Sequence, residues 1–164
     1  MSYRAFVLTS SDSCSAGLRE DVSGPTAAEM LREAGWEIVG YAVLPDDREL
    51  LAAKLREICD AGEAELLVTT GGTGFSARDC MPEATADAAE RMVPGIPEAM
   101  RYYSLQITPR AMLSRAAAGI RGNTLIVNLP GSPKAVVECL EYILPSLEHG
   151  LEILRGTAQN CARK

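Results

Sequence analysis

Leu66-Leu67-Val68-Thr69-Thr70-Gly71-Gly72-Thr73-Gly74 is the stretch on which the fold turns. Three aliphatic residues and two threonines run without a spacer into glycines. A run this short, rich in β-formers and bounded by breakers, reads as a buried strand over residues 66–70. Glycines at its carboxyl end let the backbone approach a ligand closely and turn N–H groups toward an anion. Thr69 and Thr70 add hydroxyl donors without adding charge. The plain alternative is an ordinary glycine turn.

Working toward the amino terminus, the same alternation of apolar run and amphipathic stretch repeats. Leu51, Leu55, Ile58 and Cys59 line one side of a helix. Pro45-Asp46-Asp47 ends a strand over residues 38–44 and starts that helix, with Asp46 as its cap and Glu49 three residues later as in a capping box. Residues 5–8 read as a further strand, followed by a Ser-rich turn. Gly24-Pro25 opens a helix with proline at its first position, and Gly35 closes it.

Toward the carboxyl terminus, Pro82, Pro94, Pro97 and Pro109 divide the chain into short helices, and Thr108-Pro109 reads as an N-cap with proline behind it. Residues 116–120 and 124–129 flank Arg121-Gly122-Asn123 as a hairpin. Pro130-Gly131-Ser132-Pro133 then leads into a long helix carrying Val136, Leu140, Ile143, Leu147, Leu151 and Leu154, which Pro145 is expected to kink or split. Strands alternating with helices predict an α/β fold, a mostly parallel sheet covered on both faces. Ligands bind beyond the carboxyl ends of such strands. Residues 10–17, 45–47, 71–79 and 130–134 are therefore expected along one edge.

The chain has 164 residues, and residues 1–164 read as one domain. Its net charge of −6 argues against a general nucleic-acid binder, because neutralising phosphates needs a basic surface. A hydrophobic fraction of 47% excludes a disordered chain, yet no apolar stretch is long enough to cross a membrane. The five cysteines include no C-x-x-C pair, which predicts a reducing, cytoplasmic setting, and the polar tail after Asn160 with Cys161 reads as frayed. His149 stands alone without metal-ligand spacing, so a zinc site and a histidine-based triad are both disfavoured.

The glycine loop is not a P-loop, because no G-x-x-x-x-G-K-[ST] occurs. Gly72-Thr73-Gly74-Phe75-Ser76-Ala77 fits G-x-G-x-x-A, but Asp79, Cys80 and Pro82 stand where a dinucleotide fold starts its helix. Asp46 and Asp79 follow strands at the binding edge, where carboxylate oxygens suit Mg²⁺ on nucleotide phosphates. Their bland readings are a helix cap for Asp46 and a pair with Arg78 for Asp79. Asp12 and Asp21 are weaker candidates of the same kind, with turn and cap chemistry as the alternative. Gly131, Ser132 and Lys134 open the last helix, whose free N–H groups and dipole favour an anion. Arg101, Arg110, Arg115 and Arg121 are candidates for further phosphate contacts, against a solvated surface. Trp36 reads as packing.

These segments resemble the molybdopterin adenylyltransferase family, the MogA/MoaB-type proteins and the corresponding domain of gephyrin. The resemblance is carried by Ser11-Asp12-Ser13-Cys14, Glu20-Asp21-Val22-Ser23-Gly24-Pro25, Thr70-Gly71-Gly72-Thr73-Gly74 with Arg78-Asp79, Pro82-Glu83-Ala84-Thr85, Leu113-Ser114-Arg115 and Asn128-Leu129-Pro130-Gly131-Ser132-Pro133-Lys134, in order along nearly the whole chain. Ser13 stands where some members have Arg, and Phe75-Ser76-Ala77 departs from versions richer in Pro or Arg.

The resemblance implies a three-layer αβα sandwich, usually trimeric or hexameric, that binds molybdopterin and ATP with Mg²⁺. The molybdopterin phosphate attacks the α-phosphorus of ATP, giving adenylylated molybdopterin and pyrophosphate, and the product passes to a molybdate-inserting enzyme. Asp46 and Asp79 match the acidic positions assigned to metal and catalysis. Asp12, Thr70, Gly71, Gly72, Thr73, Gly74, Ser114, Asn128, Pro130, Gly131, Ser132 and Lys134 are the binding positions it implies, Ser114 toward the pterin. The rival reading is a molybdopterin-binding paralogue without activity, or an interaction module such as gephyrin's scaffold domain. Retention of both aspartates, and the lack of a linker and second domain, speak against these.

Overall fold

In a computed structural model that describes residues 2–158, Arg4–Ser10 forms the first strand, β1. The polar tail from Asn160, with Cys161, lies outside the described residues. Helix α1 (Asp12–Ser15) is a single turn, followed by α2 (Ser23–Glu33), β2 (Glu37–Leu44), α3 (Arg48–Ala61) and β3 (Leu66–Thr70). Helix α4 (Met81–Ala88), β4 (Arg91–Met92) and α5 (Gly95–Leu105) come next. A 3-10 turn at Pro109–Leu113, the hairpin β5 (Ala118–Arg121) and β6 (Thr124–Leu129), and α6 (Pro133–Leu154) complete the chain.

The six strands form one sheet in the order β2-β1-β3-β6-β5-β4. The first four run parallel, and β5 pairs antiparallel with both β6 and β4. Side-chain alternation splits the core in two. Val7, Val68 and Val127 face a layer built by α2, α5 and α6, whereas Leu8, Leu67 and Ile126 face α3 and α4. Both faces are therefore covered, and the expected αβα layering is present. All four parallel strands end at the same edge, so the loops after β1, β2, β3 and β6 emerge together.

Local signals explain most boundaries, with four corrections. Asp47, not Asp46, caps α3, accepting a hydrogen bond from Leu50 N at 2.9 Å. Gly62 in the left-handed region (φ +67°) ends that helix. Pro25 is the third residue of α2, because the helix already begins at Ser23. Pro145 does not split α6, which runs from Pro133 to Leu154. It sits on the exposed side of the helix, while Ile143 and Leu147 hold the opposite side in the core. The two-residue edge strand β4 carried no periodicity and was not foreseen. Trp36 is buried as packing and stacks on Tyr3 with centroids 5.1 Å apart.

Candidate functional site

The loops at the carboxyl edge are tied together by side chains bonded to neighbouring backbone. Ser10 Oγ donates to Asp46 Oδ1 at 2.5 Å, and Asp12 N donates to Asp46 Oδ2 at 3.0 Å. Asp46 N returns a bond to Asp12 Oδ1 at 3.0 Å. Arg78 closes the cluster with two bonds to the Asp12 carboxylate, at 2.9 and 3.0 Å. The Arg78 guanidinium, with help from the Asp46 amide, holds the Asp12 carboxyl below the usual aspartate range. Arg78 thus pairs with Asp12 and not with its neighbour Asp79. Asp79 folds back on its own loop, its Oδ2 accepting from Ser76 N at 2.9 Å.

Behind this cluster lies a polar cavity of about 250 Å³. Thr9 and Ser10 line it from the end of β1, Asp46 from beyond β2, and Thr70, Gly71, Gly72 and Asp79 from β3 and the loop after it. Gly131 closes it from beyond β6, and Asp21 and Ser23 from the start of α2. Gly71 and Gly72 have φ of +82° and +70°, and a Cβ on Gly71 would lie 2.3 Å from the Ser10 carbonyl oxygen. Only glycine lets β3 turn this sharply against β1. Asp21 accepts hydrogen bonds from Tyr41 Oη and, at 3.2 Å, from Gly24 N. Burial and the Asp21 carboxylate both push the Tyr41 hydroxyl up, so it stays protonated.

A second pocket of about 220 Å³ opens beside the first, between α5, the 3-10 turn and α6. Met100, Ala116, Ala135 and Cys139 make its lining mostly apolar, and Ser104 and Ser114 supply hydroxyls. Pro130 lines this pocket while the next residue, Gly131, lines the polar cavity, so the two share a wall. Arg101 forms part of that lining and donates to the carbonyls of Ser114 (3.3 Å) and Ala116 (3.0 Å).

The structure thus gathers Asp46, Asp79, Thr70, Gly71, Gly72 and Gly131 around one cavity, and puts Ser114 and Pro130 on the adjoining one. Other expected residues do different work. Asn128 is fully buried; its amide donates to Thr69 Oγ1 (3.1 Å) and Thr85 Oγ1 (2.9 Å) and accepts from Ala117 N (3.1 Å). It braces β6 against α4 and faces neither pocket. Asp12 is spent on Arg78 and Asp46 and does not line the cavity. Thr73 and Gly74 lie on the loop but not on the lining. Ser132 is the N-cap of α6, and the Lys134 side chain is 84% exposed, 4.0 Å from Glu138. Arg121 pairs with Asp60, away from this edge.

Thr9, Ser10, Ser11, Cys14, Arg19 and Ser23 also line the cavity, though none is among the expected site residues. Ser10 and Ser11 were legible only as members of a polar turn after a strand. Among the described residues no three Asp, Glu, Cys or His side chains gather as a metal cage. Mg²⁺ does not need one: it is held through one or two carboxylates, with waters and substrate phosphates completing the octahedron. Asp46 and Asp79, both lining the one cavity, fit that donor set.

A mostly parallel αβα sheet with two aspartates, a left-handed glycine turn and a mostly apolar pocket at its carboxyl edge has the layout of a ligand-binding α/β domain. The chain belongs to the family described as a probable molybdopterin binding domain, whose model matches residues 6–149. It is 43% identical over 152 residues to the molybdopterin adenylyltransferase of Helicobacter pylori, covering 92% of this chain and 86% of that one. Gephyrin of Dictyostelium discoideum matches at 40% identity over 160 residues, 92% of this chain but 22% of that longer protein. The crystal structure of the molybdopterin biosynthesis enzyme MoaB from Thermus thermophilus superposes with a TM-score of 0.88 at 43% identity, covering 94% of this chain and 97% of that one.

Proposed function

We propose that the chain acts in molybdenum cofactor biosynthesis as a molybdopterin adenylyltransferase, joining the phosphate of molybdopterin to the adenylyl group of ATP. Relatives of that name at 39–43% identity support the activity. The observation that carries the chemistry is the shared wall at Pro130-Gly131 between a polar cavity with both aspartates and a mostly apolar pocket. A pterin fits the apolar side, with Ser114 and Ser104 as hydroxyl partners. A triphosphate fits the polar side, against Ser10, Thr70 and the glycine turn.

An oxygen of the molybdopterin phosphate attacks the α-phosphorus of ATP. The new P–O bond forms as the bond to the bridging α,β-oxygen breaks, and pyrophosphate leaves with that electron pair. No side-chain nucleophile is needed; the protein's task is positioning and charge compensation. Asp46 and Asp79 would hold Mg²⁺, which neutralises charge on the phosphates. Ser10 and the Asp12 amide aim the Asp46 carboxylate, and the 76–79 turn aims that of Asp79. The adenylylated product suits transfer to a molybdate-inserting enzyme.

The test is pyrophosphate release from ATP, Mg²⁺ and molybdopterin. Asp79→Asn is expected to keep the fold and thermal midpoint while losing about 10²-fold or more in kcat. Chelation by EDTA is expected to stop turnover, and Mg²⁺ to restore it. Undiminished turnover in Asp79→Asn would remove that residue from the mechanism. We further propose that the chain self-associates through exposed Tyr102, Ile107 and Met112 around α5 and the 3-10 turn. Sedimentation is expected to give three or six times 17.5 kDa.

A further inference from the structure

We propose that Arg115 is a positioning residue that fixes the loop carrying Asp79 and ties it to the wall of the apolar pocket. Its part in the reaction rests on the adenylyltransferase reading. Arg115 reaches that loop at both ends. Its backbone N donates to Thr73 O at 2.8 Å, its Nε to Gly74 O at 2.7 Å and its Nη2 to Asp79 O at 2.9 Å. Nη1 donates to the Glu83 carboxylate on α4.

Between these points the segment has one other outside tie, the pair of bonds from Arg78 to the Asp12 carboxylate at 2.9 and 3.0 Å. Within it Ser76 and Asp79 bond each other, at 2.9 and 3.0 Å, and Phe75, just before them, is 71% exposed. A guanidinium offers five N–H groups in a rigid plane, which suits two carbonyls and a carboxylate at once. A lysine ammonium on a flexible stem cannot keep the same three directions.

The residue before Arg115 is Ser114, on the apolar pocket, with its carbonyl held by Arg101. A shift of residues 114–116 is therefore carried to the backbone of Asp79 through a single side chain. A misplacement of about 1 Å in a reacting group can lower a rate about 10²-fold.

The test uses the full chain with Arg115→Lys and Arg115→Gln. Arg4→Gln serves as a control, because Arg4 bonds Glu65 and Gly62 at the opposite edge of the sheet. Deuterium exchange is followed in the ligand-free protein, together with kcat and KM. In Arg115→Lys the amides of residues 73–80 are expected to exchange about tenfold faster or more, while β3 and β6 stay protected. Its kcat is expected to fall about 10²-fold with KM for molybdopterin changed by less than about threefold. Arg4→Gln is expected to move only the thermal midpoint. Unchanged exchange in residues 73–80, or faster exchange with unchanged kcat, overturns the proposal. If Arg115→Gln does not fold, the lysine variant decides. A wild-type protein that releases no pyrophosphate, with exchange still raised in Arg115→Lys, defeats the reaction reading but leaves the hold on the loop standing.

Discussion

An alanine at position 71 would have to keep φ near +82° with its Cβ 2.3 Å from the Ser10 carbonyl oxygen. Backbone contacts of this kind do not relax by rotating a side chain. Gly71→Ala is therefore expected to lose about 1–3 kcal/mol in urea unfolding and to weaken ATP binding by moving β3 away from β1. Such glycines are visible in sequence because they follow an apolar run. Other residues were legible in kind but not in role. Asp46-Asp47 is a tandem, and spacing alone cannot tell which aspartate caps α3 and which turns to the cavity. Asn128 lies in a strand buried on both faces, where no alternation marks the side of a polar group; its neighbours Thr69 and Thr85 come from distant segments. Arg115 reads like any other arginine until the carbonyls around it are seen. Burial pushes the Cys59 thiol up to about 11, in keeping with a cysteine that packs and does not react.

Helix α6 carries the clearest apolar pattern in the chain, and that pattern outweighs its interior proline. Val136, Leu140, Ile143, Leu147 and Leu151 are all buried along one stripe, and Ser132 with Pro133 sets the start. Proline still removes one helical bond and clashes with the preceding turn. Pro145→Ala is expected to stabilise the protein by about 1–3 kcal/mol, read as a raised urea midpoint with the slope unchanged. Element types were legible wherever an apolar stripe met a cap or a breaker, as in α3 and β3. Strand β4 was not, because two exposed residues that pair with Gly119 and Ile120 carry no pattern of their own.

Across the whole molecule, Glu65 links the far ends of the chain. It accepts from Arg4 N at 2.8 Å and Arg4 Nη2 at 2.5 Å, and pairs with Arg155 just past α6 at 2.5 Å. Burial pushes this carboxyl up, but the bonds from Arg4 and Arg155 outweigh it and hold it below its ordinary 4.5. A carboxyl depressed in the folded state stabilises fully above its unfolded pKa, and that stability fades as pH falls through the folded one. Acid unfolding is therefore expected to steepen below about pH 4.5, and Glu65→Gln to flatten that slope in chemical denaturation followed by circular dichroism.

The parallel register has a consequence for how the protein is made. Thr9 meets Thr70 across 61 residues, and Thr69 meets Asn128 across 59. Each pairing must wait for a chain segment synthesised much later, and such long-range closures are slow. A nascent polypeptide emerging from the ribosome would lack the Pro130-Gly131 wall common to both pockets until β6 has been made. The two pockets should consequently become joined only late in translation.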